Sequence, residues 1–280
     1  MSSYASLKHI KASRIGSHVL HVQLNRPERL NAFNSQLWQD LHDCFATVAH
    51  DTETRVVVLS ALGKTFTAGL DCECAAVQEA VSVVSEREDP ARTAYHLRKK
   101  IADWQNAISA VEKCDRPVIA AIHGACIGAG VDLSTACDVR YCSKDAFFSV
   151  KEVDIGMAAD VGTLQRLPKV VGNNSWVREI CFTARNVPAE EAHHYGLVGR
   201  VFGTREELLE NAIALANEIA GKSPIATLGT KHLLNYSRDH TVDEGLAYTV
   251  AWNAAMLQST DLKEGVMAGL QKRKPLFANL

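Results

Sequence analysis

Three carboxylates, Asp132, Glu152 and Asp160, each stand in an otherwise small or apolar stretch of this chain. A carboxylate in such surroundings is costly unless it is paired or used. Where several lie near one another, burial and mutual repulsion push their pKa values apart, so that one serves as acid and another as base. Two glycine-bearing loops belong to the same reading. Phe66–Asp71 (FTAGLD) and His123–Gly130 (HGACIGAG) each follow an apolar, β-rich run, at Arg55–Ser60 and Val118–Ile122. Small residues let a ligand approach the backbone, and the unpaired N–H groups of a helix start can face an anion. Two such donors converging on one oxygen would make an oxyanion hole, as needed when a carbonyl becomes an enolate on losing a proton from its α-carbon. Taken singly, either loop is equally an ordinary tight turn.

Other motifs carry less. Gly124, Gly128 and Gly130 follow a strand, but Leu133 stands where a dinucleotide fingerprint needs its third glycine. No G-x-x-x-x-G-K-[ST] phosphate loop occurs. Cys72-Glu73-Cys74 lacks a second Cys or His group at zinc spacing and reads as two loop thiols. His193 and His194 are adjacent on a helical stretch and point apart. Arg98-Lys99-Lys100 reads as a solvated helix face; a phosphate contact or an RNA-binding stripe are its alternatives.

The elements that must position these groups follow from periodicity. Val19–Leu24 is a strand, and Asn34 or Ser35 caps a helix whose apolar residues Leu37, Leu41, Phe45 and Val48 recur at spacings of three and four. With the strand at Arg55–Ser60, the order strand, helix, strand, glycine loop is that of an α/β crossover. Residues 77–91 are poorly periodic and read as a mobile loop or short helix. A long helix spans 94–111, a central strand starts at Pro117, and short strands fall at 139–142 and 147–150. Beyond Thr163 strand signals nearly stop, and helices follow to about Lys272. By composition the chain divides into an α/β core over residues 1–200 and a helical region over 201–280. A bundle of amphipathic helices at one end usually buries its apolar face against a neighbour.

With 280 residues, 47% apolar content and a net charge of -2, the chain can bury a large core and has no general bias toward nucleic acid or anionic membrane. No apolar run has the length of a bilayer span. The eight cysteines are scattered through apolar runs, as expected of buried thiols in a reducing compartment. The first residues lack a secretory core but hold Ser, Lys and Arg with few acids, as transit peptides do. Ala278-Asn279-Leu280 is only loosely similar to a peroxisomal Ser-Lys-Leu address.

These residues together resemble the crotonase (enoyl-CoA hydratase/isomerase) superfamily over nearly the whole chain. Arg26-Pro27-Glu28-Arg29-Leu30-Asn31-Ala32 is similar to its N-terminal R-P-x-x-x-N-A motif. The Phe66–Asp71 and Pro117–Gly130 stretches resemble its two oxyanion loops, and Leu164–Pro168 (LQRLP) and Ala189–Val198 also match. Within the superfamily the acids resemble the dienoyl-CoA isomerase branch, as do Val150–Thr163, Phe182–Arg185 and Tyr236–His240. A hydratase would carry Glu where Asp132 stands and Gly where Asp160 stands. Ala129 departs from a frequent Gly, but an alanine has the same backbone N–H.

The resemblance implies a crotonase-like ββα spiral with a C-terminal helical region that builds a homotrimer or a hexamer of paired trimers. It implies conversion of a 3,5-dienoyl-CoA to the 2,4-dienoyl isomer in fatty-acid β-oxidation. A proton moves from C2 to C6, with Asp160 as base, Glu152 as acid and Asp132 as a third negative site; the residues themselves leave base and acid open. Leu70 and Ala129 would supply the oxyanion N–H groups. Ala68, Gly69, Leu70, Asp71, Cys72 and Gly130 would line the thioester site, with Arg29 and Lys272-Arg273-Lys274 toward the coenzyme A phosphates. Coenzyme A arrives with the substrate, and no metal or other cofactor is expected. A peroxisome-like organelle or a mitochondrion is the expected compartment, the cytoplasm the alternative. A hydratase of the same fold and an RNA-binding relative are the rival functions.

Overall fold

The structure is a computed structural model that describes residues 4–72 and 89–280. Its main sheet has the strand order β1-β2-β3-β4-β6-β9, formed by Ile10–Ile15, Val19–Leu24, Val56–Ala61, Val118–Ile122, Val139–Ser143 and Arg200–Phe202. The β1–β2 pair is antiparallel and the other pairs are parallel. A smaller sheet holds β5 (Ala125–Ile127), β7 (Phe147–Ser149) and β8 (Val187–Pro188).

The two central strands β3 and β4 are buried along their whole length, because helices cover both faces of the sheet. Strand alternation assigns the residues to faces. Val57, Leu59, Val118, Ala120 and Ile122 join the larger core beneath α1 (Ser35–His50) and α2 (Pro90–Lys113). Val56, Val58, Ile119 and Ala121 join a second core under α7 (Arg205–Ala220). That helix presents Leu208, Ala212, Ala216 and Ala220 at intervals of four, and the alanines let it lie close to the strands.

The chain enters α1 through Asn34, whose side-chain oxygen accepts from the Leu37 N–H at 2.9 Å. Asp89 caps α2, and Pro90 takes its first turn. The helix is thus longer at both ends than its apolar periodicity implies. Within the 77–91 stretch expected to be a loop or short helix, 77–88 lie outside the described residues, and so do Glu73 and Cys74. The charged segment at Lys11 and Arg14 is edge strand β1; its polar residues face outward, which hid its period. Strand β9 was also hidden, being three residues long between helices.

Helices α3 (Ala129–Ala136), α4 (Thr163–Val170), α5 (Asn174–Thr183) and α6 (Ala189–His194) follow the sheet strands, and α8 (Pro224–Ser237), α9 (Val242–Met256) and α10 (Thr260–Leu270) complete the chain. A capping box at Thr241 and Glu244 starts α9. Among the described residues, no helix is long and apolar enough to cross a membrane. The described cysteines are free thiols, and all but Cys72 are buried.

Candidate active site

The first glycine loop leaves β3 and runs alongside β5. The Phe66 N–H donates to the His123 carbonyl at 2.8 Å, Thr67 N–H to Ala125 at 3.0 Å, and Ile127 N–H returns to Thr67 at 3.1 Å. On its other side the loop is gripped by the Arg26–Ala32 segment. Asn31 holds a positive φ of 54° and donates its amide to the carbonyls of Leu62 and Thr65. Arg26 forms a buried pair with Asp71 at 2.6 Å and also donates to the Ala32 carbonyl.

Phe33 donates to the Gly69 carbonyl and accepts from the Asp71 N–H. In a parallel bridge of that kind, the intervening residue turns its own N–H away. That residue is Leu70, and among the described residues its N–H has no hydrogen-bond partner. In the second loop, Gly128 donates to the Ser149 carbonyl and α3 begins at the next residue. Ala129 is therefore the first helical residue, and its N–H is one that a helix leaves without an internal acceptor. Leu70 and Ala129 thus each follow a positive-φ glycine, Gly69 at 88° and Gly128 at 52°.

The three carboxylates converge here from three elements. Asp132 lies one turn into α3, fully buried, and its Oδ1 accepts from the Thr163 N–H at 2.5 Å. Glu152 starts a short 3-10 helix (Glu152–Ile155) and reaches back so that its Oε1 sits 3.1 Å from where a Cβ on Gly128 would stand. Asp160 is held through its backbone carbonyl by the Gln105 amide of α2 at 2.6 Å. Among the described residues, Asp132 Oδ2 and Glu152 Oε2 are buried without a hydrogen-bond partner. An oxygen in that position is stabilised by carrying or receiving a proton.

Electrostatics run along the same line. Burial pushes the Asp132 carboxyl up to about 7, the Glu152 charge adds to that, and Thr163 and Arg166 pull the other way. Burial also raises Glu152, with a further push from Asp160, and burial raises Asp160 itself. Each acid therefore holds its proton more firmly than a solvated carboxyl does, as proton transfer near neutral pH requires.

The other expected site residues divide. Ala68 donates to the Leu30 carbonyl, and with Gly69 it shapes the first loop. Asp71 is the buried anchor of that loop, and Cys72 is exposed beyond it. Gly130 lies inside α3, where a Cβ would come 2.6 Å from Thr67 Cγ2; it sets how closely the helix packs on the first loop. Arg29 is exposed at the end of a 3-10 turn (Pro27–Arg29). Arg273 is paired with Glu264 of α10. His193 and His194 are exposed on α6, and Arg98 and Lys99 are exposed on α2. The supporting roles of Arg26, Asn31, Thr163 and Gln105 were not read from the sequence. Arg26, Asn31 and Thr163 had a signal, the motifs they belong to; Gln105 had none.

A family model described as enoyl-CoA hydratase/isomerase matches residues 14–279. The chain is 51% identical over 264 residues to the mitochondrial Delta(3,5)-Delta(2,4)-dienoyl-CoA isomerase of Mus musculus, covering 94% of this chain and 80% of that one. To the peroxisomal Delta(3,5)-Delta(2,4)-dienoyl-CoA isomerase of Arabidopsis thaliana it is 46% identical over 280 residues, covering 100% and 99%. Among solved structures, the enoyl-CoA hydratase of Bacillus anthracis superposes with a TM-score of 0.85 at 28% identity, covering 96% of this chain and 99% of that one.

Proposed function

This chain belongs to the enoyl-CoA hydratase/isomerase family, and from that premise we propose that it isomerises 3,5-dienoyl-CoA to 2,4-dienoyl-CoA. The observation that carries this reading is the line of three coupled carboxylates beside two unpartnered N–H donors. The thioester oxygen lies between the Leu70 and Ala129 N–H groups. Asp160 takes a proton from C2, and the charge spreads through the diene onto that oxygen. Glu152 returns a proton at C6, so that the net change is a 1,5 shift with no atom gained or lost. Two carboxylates serve two distant carbons better than one rigid group would. Asp132, locked by Thr163, stands beside Glu152 as the third carboxyl of the line, while burial and the Asp160 charge favour the protonated form of Glu152.

Direct proton transfer of this kind needs no metal, redox group or covalent nucleophile, and coenzyme A enters as part of the substrate. Residues 1–200 supply the site and 201–280 supply assembly contacts. Leu246, Val250 and Leu270 on the last helices and Leu257 at the end of α9 are each more than half exposed, which supports burial of that surface in a homotrimer or a pair of trimers. A mitochondrion or peroxisome, the compartments named for the two relatives, suits the reaction.

The test is an ultraviolet assay with 3,5-octadienoyl-CoA on the wild type, Glu152→Gln and Asp160→Asn. Conjugation of the diene with the thioester creates a new absorbance band. The wild type should generate it and both variants should lose it. A wild type silent on this substrate but active in hydrating crotonyl-CoA would make the chain a hydratase.

A further inference from the structure

The LQRLP stretch has no role in the chemistry above, yet its arginine, Arg166, reaches the turn beside Asp132. The Arg166 side chain is mostly buried, with Nε and Nη2 donating to Glu112 Oε2 at 3.2 and 3.0 Å and Nη2 also donating to Ser109 Oγ at 3.0 Å. Both partners belong to α2. Glu112 is held in turn by Arg238, the residue that ends α8, so the guanidinium is clamped from behind by a fixed carboxylate. Its remaining nitrogen, Nη1, points the other way, toward Gly162. A Cβ on Gly162 would come 1.9 Å from Nη1 and 3.9 Å from Asp132 Oδ1. Gly162 adopts a φ of 137°, and the following N–H, that of Thr163, donates to Asp132.

The guanidinium thus fills the space that a side chain at 162 would occupy, on the flank of the turn that grips Asp132. We propose that Arg166 is a positioning residue for the isomerisation, holding the Gly162–Thr163 turn and the Asp132 carboxylate in one arrangement through a positive charge anchored on α2. This rests on the isomerase reading for its kinetic consequence but not for its electrostatic one. Among the described residues, the titratable and charged groups coupled to Asp132 are Glu152 from the 3-10 helix, Cys126 from β5, Cys181 from α5 and Arg166 from α4. Both thiols are pushed upward by burial and stay neutral near pH 7. Arg166 is therefore the cation in that set, and it works against Glu152 at the same carboxyl.

The experiment compares the wild type, Arg166→Gln and Arg166→Lys. In R166Q, Glu112 keeps Arg238 as its partner, so the clamp loses one charge without stranding the other. With 3,5-octadienoyl-CoA, R166Q is expected to lower kcat about 10- to 100-fold while KM stays within about twofold, and the pH-rate profile to shift; R166K should regain part of the rate. Independently of turnover, the Asp132 carboxyl is followed by ¹³C NMR, assigned with Asp132→Asn. Its titration should move to higher pH in R166Q and return toward the wild-type position in R166K. If the Asp132 titration is the same in R166Q as in the wild type, the proposal is overturned, whatever the activity. A shifted titration in a chain whose wild type makes no 2,4-dienoyl product would overturn the isomerase reading and leave the positioning role standing.

Discussion

Gly69 and Gly128 lie backbone against backbone. A Cβ on Gly69 would come 2.8 Å from the Ile127 carbonyl oxygen and 3.7 Å from the Gly128 Cα, and one on Gly128 would come 3.8 Å from the Gly69 Cα. Since Leu70 and Ala129 follow these residues directly, this contact sets the spacing of the two N–H donors. Gly128→Ala adds a methyl group at a positive φ and 3.1 Å from Glu152 Oε1. It is expected to cut kcat about 10²- to 10³-fold, the loss typical of a disturbed oxyanion donor. Steady-state kinetics at the wild-type rate, on a folded G128A protein, would remove Ala129 from that role.

The Asp132 carboxyl gives stability a definite pH dependence. Its pKa of about 7 in the folded chain lies above its unfolded value of about 3.9. Between the two, the folded chain holds a proton that the unfolded chain has released, so stability falls as pH rises through this window. Asp132→Asn removes that contribution. In urea unfolding at fixed protein concentration, D132N should gain on the wild type between pH 5 and pH 8, by an amount on the order of a few kcal/mol. An equal difference at both pH values would mean that burial does not raise this carboxyl.

Asn31 combines a left-handed backbone with three side-chain bonds, two donated to Leu62 and Thr65 and one accepted from the Arg26 N–H at 2.8 Å. Alanine would strand these groups, at about 1–3 kcal/mol for each one left buried and unmet. Thermal unfolding of Asn31→Ala is expected at a clearly lower temperature. An unchanged midpoint would show that the first loop is held by Arg26 and Asp71 without it.

The last helices offer a test of assembly. Leu246 and Val250 of α9 are 61% and 72% exposed in the single chain. Replacing both with Glu leaves the core untouched and places charge on the face expected to meet a partner. Sedimentation velocity should then report a smaller species than the wild type. Wild-type size would put the interface elsewhere.

The juxtaposition of the two glycine loops and the acids was legible because each depends on residue types at short spacing: a glycine before an N–H, a carboxylate among small residues. The sheet was legible where strands are buried on both faces, as at Val118–Ile122. Legibility failed at β1, whose polar residues face water, and at β5, β8 and β9, which are too short to show a period; β7 of the small sheet was read at 147–150. It also failed for groups whose role is defined only by a distant partner. Nothing near Gln105 in sequence announces Asp160, and nothing near Arg26 announces Asp71.

Burial raises the Asp132 carboxyl to about 7, and an acyl chain that displaces water from the site beside it would add to that desolvation. Occupancy and protonation are then coupled. At pH 7 a bound acyl-CoA draws a fraction of a proton from the medium, so the heat of binding includes the ionisation heat of the buffer. Titration calorimetry in Tris and in phosphate should give different enthalpies for one affinity, and their difference counts the proton taken up.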